Sequence, residues 1–160
     1  MSAYESPTRA LKYALVNLIE TIQYDAGSGP EQAFQLVTTD PKAAFDQEPY
    51  CFVYRTKTQS KVIQTGSNDR TVNYGAIIVL SLENGQRTQQ QTYDYMDDLT
   101  ELVQNTLDTA DFTDALSTYQ SLVSTYIVTA VTNTPVPGVS NEGAVLLNTI
   151  DIAIKYIYDL

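Results

Sequence analysis

Thr71–Glu83, TVNYGAIIVLSLE, is the stretch whose reading decides the fold. Its even positions, Val72, Tyr74, Ala76, Ile78, Leu80 and Leu82, are apolar without a break. Period-two spacing puts all six on one face of a strand. The odd positions are mixed, with Asn73 and Gly75 followed by Ile77 and Val79. A strand apolar on both faces at its middle is expected to be covered on both sides, which marks it as central. Asn84-Gly85 then breaks the pattern. A glutamine-rich connector, Gln86–Gln91, leads into a helix expected over about 92–108. Its inward stripe is Tyr95 or Met96, then Leu99, Leu102, Val103 and Leu107.

Upstream, Ser6-Pro7 is a helix start, an N-cap hydroxyl followed by proline at the first helical position. Leu11, Ala14, Leu15, Leu18, Ile19 and Ile22 follow at spacings of three and four, predicting an amphipathic helix of about 7–24. The glycines and proline of Asp25–Pro30 end it. Glu31–Thr39 reads as a short strand, 42–49 as a loop and Tyr50–Thr56 as a second strand. Gly66-Ser67-Asn68-Asp69 reads as a turn, and Val62–Thr65 as an extension of a hairpin ribbon. Downstream, Thr109–Thr118 is an acidic connector, and Tyr119–Thr132 and Val145–Tyr158 are two long strands. The Pro/Gly-rich segment Asn133–Ala144 between them is expected to be the loop at the tip of an antiparallel hairpin. The expectation is one α+β domain, residues 1–160. A mostly antiparallel sheet of about five strands packs with two helices and ends in a long C-terminal β-hairpin.

At 160 residues the chain has the size of one domain with a substantial core. A net charge of −10 repels nucleic acid and anionic bilayers at long range, so gripping DNA through its phosphates is disfavoured. The start, MSAYESPTR, has no basic stretch followed by an apolar run, so no signal peptide is expected. No apolar run approaches the ~20 residues needed to span a bilayer. Twelve tyrosines suit half-buried sheet faces and contact surfaces, and equally suit strands as such.

Catalytic chemistry finds little purchase. With no histidine there is no nucleophile–His–acid triad, and the single cysteine, Cys51, lies in an apolar run where it reads as a small core residue. No cofactor-binding signature is present, neither a glycine-rich phosphate loop nor a zinc ligand set. Asp94, Asp97, Asp98 and Glu101 are the one carboxylate cluster; they read either as a solvated helix face or as ligands for a hard cation. Acidic residues in the first turns of that helix also favour it through its dipole.

Two features read as surfaces. Arg55, Lys57, Lys61 and Arg70 form a basic ribbon, set against Asp69 alone, in an otherwise acidic chain; it is a candidate subunit interface or an ordinary solvated hairpin. Pro135, Val136, Pro137 and Gly138 form a candidate docking loop or a plain connection.

The order of elements resembles the tail-terminator (tail completion, minor tail protein U-like) family of tailed bacteriophages. The opening helix SPTRALKYALVNLIETI, the strand NYGAIIVLSLE running into YDYMDDLTELVQNTL, and the closing NTIDIAIKYIYDL carry the resemblance. The resemblance implies a homo-oligomeric ring, usually a hexamer. Such a ring ends the tail tube, contacts the tail-tube protein and the neck or connector proteins, and passes DNA without binding it. It implies a virion protein of the tail and neck region, assembled in the host cytoplasm and touching no membrane. The acidic face Asp94–Glu101 then becomes a candidate interface or lumen lining. A neck or head-closure connector of the same particle, a small-ligand or peptide-binding domain, and a metal-dependent hydrolase are the competing expectations.

Overall fold

The computed structural model describes residues 6–40, 48–64, 67–113, 123–140 and 143–159. In chain order it forms α1 (Pro7–Glu20), β1 (Gln23–Asp25), β2 (Pro30–Gln32), β3 (Leu36–Thr38), β4 (Tyr50–Gln64), β5 (Ser67–Ser81), α2 (Gln89–Asp108), β6 (Val123–Thr132), β7 (Val136–Ser140) and β8 (Gly143–Asp159). The fold is α+β, as expected. Six strands form one sheet in the order β3-β4-β5-β8-β6, with β7 alongside the first part of β8; β1 and β2 make a separate ribbon. Among the described residues only the β3–β4 pair is parallel.

The strand read first is central in this order, but its cover differs from expectation. Both helices share one core with its even face, where Val72, Tyr74, Ala76, Ile78 and Leu80 are buried. Leu11, Leu15 and Ile19 of α1 and Met96, Leu99, Val103 and Leu107 of α2 pack there, against Ile150, Ile152 and Ile154 of β8. Burying each such side chain contributes about 1.5–3 kcal/mol, so this face carries the association of the two layers. Among the described residues, no second layer covers the odd face. It is shielded by in-sheet neighbours: Tyr50, Val79 and Val145 are buried with Leu36, Phe52, Ile77 and Leu147 packed around them.

The helix starts follow local chemistry. The Ser6 hydroxyl accepts from the Arg9 N–H at 3.2 Å and Pro7 takes the first position. α1 stops at Glu20, short of 24, because Thr21 caps it and the chain turns into β1. Asp25–Pro30 is then a hairpin turn, with Gly27 and Gly29 at φ +111° and +106° and both N–H groups donating to the Asp25 carboxylate. The expected strand over 31–39 is broken into β2 and β3 by the burial of Ala33 and Phe34.

α2 begins three residues before expectation. Thr88 and Gln91 form a reciprocal capping box, so Gln89–Gln91 are the first helical turn and not a connector. β4 and β5 run much further than expected, and Ser67–Asp69 belong to β5; Thr65 and Gly66 lie outside the described residues. The segment 133–144 is not one loop: most of it is strand, and the hairpin reverses only between Ser140 and Gly143. Val136–Ser140 pairs with β8 from Val136↔Leu147 to Ser140↔Gly143, so β6 and β7 lie end to end along one 17-residue strand. The reversal falls next to Gly143, at φ +115°, with 141–142 outside the described residues. The expected loop at 42–49, the connector at 109–118 and the start of the strand at Tyr119 also fall largely outside them.

Candidate interaction surfaces

The basic residues sit on the long arm formed by the far halves of β4 and β5. They do not form one ribbon. Arg55 pairs with Tyr74, whose side chain is in the helix-covered core, so it belongs to the helix side. A β-bulge between Arg55 and Lys57 inserts Thr56 and inverts the alternation. Lys57 then pairs with Asn73 and Lys61 with Asp69, which puts both lysines on the open face. Arg70 pairs with Ser60 and with Tyr156 on the helix side. The four cations are thus divided two and two. On the open face Lys155 of β8 joins them, its ammonium 3.1 Å from Asp69. A shallow hollow of about 460 Å³ lies among Gln59, Lys61, Asp69, Thr71 and Lys155. Lys155 was out of reach of sequence reasoning because the strand that carries it is more than eighty residues away.

The acidic residues Asp94, Asp97, Asp98 and Glu101 all stand exposed on α2. Gln90 Nε2 donates to Asp94 at 3.0 Å and the Tyr24 hydroxyl donates to Asp98 at 3.2 Å. Burial, helped by the charge of Asp98, pushes the Tyr24 hydroxyl up from its ordinary range. The dipole account of the cluster fails: the helix begins at Gln89 and has no acid in its first turn, and the dipole effect fades beyond that turn. Among the described residues, no three side chains of metal-ligating type come together to hold an ion. Asp98 and Glu101 instead border a groove of about 320 Å³ against Gln23, Tyr24 and Asp25 of the β1 ribbon.

The expected docking loop is mostly strand. Val136, Pro137 and Gly138 lie in β7 opposite Leu147, Leu146 and Val145, and Pro135 leads into it. A proline can occupy this strand because it is at the sheet's edge, where one missing N–H costs no ladder bond.

Sequence reasoning missed a polar hub at the start of α2. The Arg87 guanidinium pairs with Glu48, donates to the Ser81 carbonyl at 3.2 Å and to Thr92 Oγ1 at 3.3 Å, and lies 5.3 Å from the Tyr95 ring centre. Beside it is an open cleft of about 620 Å³ lined by Tyr24, Glu31, Gln35, Pro49, Arg87 and Tyr95. Burial pushes the Tyr95 hydroxyl up, and the neighbouring Arg87 pulls it partly back. No single-residue signal marks this cluster, because the acid that pairs with Arg87, Glu48, lies 39 residues away along the chain.

Among the described residues, no helix is long and apolar enough to cross a membrane. The chain matches no protein-family model and no curated protein.

Proposed function

We propose that this protein is a structural subunit of a bacteriophage particle. Copies join head to tail into a ring, six by resemblance, at the end of the tail tube. There the ring stops tube growth and joins the tail to the head or neck. In this role the protein transforms no substrate and needs no cofactor. The observation that supports the reading best is the segregation of charge. β4 carries Arg55, Lys57 and Lys61 and no acid, whereas α2 carries Asp94, Asp97, Asp98, Glu101 and Asp108 and no cation. A head-to-tail ring requires each subunit to offer two different, complementary patches. Opposite charge on the β4 arm and on the acidic remainder of the chain favours head-to-tail encounter over like-to-like pairing. The acidic α2 face also suits a lumen that DNA must pass without sticking, since carboxylates repel phosphates.

Light scattering and negative-stain microscopy of the purified chain, alone and with its tail-tube protein, test this. Ring-shaped particles of a single mass are the expected result. A monodisperse monomer under both conditions would overturn it.

A second reading has one observation in its favour. The cleft beside Arg87, with its two tyrosine rings and paired charges, has the size of a small-ligand site. A ligand-library thermal-shift screen separates the two: a strong small-molecule hit abolished by Arg87→Ala favours the binding domain.

A further inference from the structure

The sheet ends in two open edges. On the β4 side, β3 pairs only as far as Thr38↔Phe52, so among the described residues nothing pairs with the outer edge of β4 from Val53 to Gln64. On the other side, β6 pairs with β8 and nothing among the described residues covers its outer edge. Long open edges are an association hazard that proteins usually blunt with charge, proline or short length. β6 has none of these: VSTYIVTAVT is ten residues without a charge or a proline. Its Ile127 and Val131 stand 65% and 55% exposed. The neighbouring β7 edge, by contrast, carries Pro137.

The two edges lie at the same height. Gln59 pairs with Thr71, Thr71 with Lys155, and Lys155 with Ile127. One row therefore runs straight across the sheet from edge to edge. Lys57, Asn73, Ala153 and Thr129 make the next row on that face. Three successive antiparallel pairings make β4 and β6 run in opposite directions. A second copy shifted sideways along the sheet thus brings its β4 against β6 in antiparallel register, without turning over.

Charge selects this pairing over the alternatives. Two β4 edges facing each other would oppose Arg55, Lys57 and Lys61 with the same three cations. β6 is uncharged and flanked on the open face by Asp151, which is exposed beside Val131 and accepts from Asn133 Nδ2 at 2.9 Å. A Lys57 arriving at the level of Thr129 stands on the same face as that carboxylate, which lies across β6 at a distance of two strand spacings, about 10 Å, and two residues along. We infer that the outer edge of β4 from one copy adds to the outer edge of β6 of the next copy. The sheet then continues from subunit to subunit, with Lys57 brought to the side of β6 that holds Asp151. This deepens the ring reading and rests on it for closure of the assembly.

Cysteine pairs in the full-length chain test it, with buried Cys51 left in place. Gln59→Cys, Ile127→Cys and Thr129→Cys are made as separate chains and oxidised alone and in mixtures. Disulfide-linked dimers are expected when the Gln59→Cys chain is mixed with either β6 variant, and from none of the three alone. Lys57→Glu should weaken the oligomer, and Asp151→Lys in the same chain should recover part of the loss. An oligomer with no mixed disulfide overturns edge pairing and leaves the ring standing. A disulfide from the Ile127→Cys chain by itself indicates two-fold pairing of β6 with β6 and overturns the head-to-tail arrangement. A monomer from micromolar to millimolar concentration overturns both this inference and the ring.

Discussion

The ring of Tyr54 lies across the backbone of Gly75 on the open face of the sheet, so close that a Cβ added at position 75 would sit 2.5 Å from Tyr54 Cζ. The two residues are direct cross-strand partners. Phe52 stacks against Tyr54 with ring centres 5.3 Å apart and holds it there. A glycine in a central strand costs about 0.5–1 kcal/mol relative to alanine, and here the aromatic ring uses the space it leaves. Gly75→Ala should therefore destabilise by about 1–3 kcal/mol, the range for overpacking. In a Tyr54→Ala background the same substitution should be neutral or stabilising. Urea unfolding of the four-member cycle measures the coupling, and additive costs would refute the contact.

Cys51 is fully buried in the core, and that burial pushes its thiol up from 9.0 to about 12. The folded state thus holds the neutral thiol while the unfolded chain ionises. Stability is complete below pH 9 and is lost progressively as pH rises from there to about 12. Burial raises the Tyr74 hydroxyl as well, adding loss in the same direction at higher pH. The slope from one such group approaches roughly 1.4 kcal/mol per pH unit. Cys51→Ala should carry a constant cost but a shallower alkaline slope than the natural chain. Parallel slopes in urea midpoints across that range would contradict this.

Arg87 ties the loop before α2 to Glu48 and the end of β5. Both members of the pair are about four-fifths shielded, with side-chain exposures of 18% and 19%. Arg87→Ala should cost about 1–3 kcal/mol because Glu48 and the Ser81 carbonyl lose their donor. Glu48→Gln should cost less, since an amide oxygen still accepts. Chemical denaturation of the two variants gives the order.

The Thr88–Gln91 capping box should contribute about 1 kcal/mol through the threonine. Thr88→Ala should show that loss in denaturant midpoints and Thr88→Ser should recover most of it. Equal stability of all three chains would mean that the cap is idle.

The fold was largely legible because its core strands alternate cleanly. Val72 to Leu80 and Ile150 to Ile154 announce their buried face by period alone. The two helices are legible through their stripes; the start of α2 is not, because the Thr88–Gln91 cap lies in a glutamine-rich run that carries no apolar stripe. What escaped were features set by pairing partners. β7 hides behind two prolines, which read as loop until the edge position is known. The division of Arg55, Lys57, Lys61 and Arg70 depends on a bulge that no composition records. Lys155 and Arg87 gain their partners from segments far along the chain.

The extra residue at Thr56 decides which surface the far arm presents. Because Arg55 pairs with Tyr74 and Lys57 with Asn73, deleting Thr56 would turn the bulge into regular ladder and leave every later side chain on its present side. A smooth ladder that kept all the residues would instead transplant a pair of ammonium groups from one surface of the protein to the other, with composition unchanged.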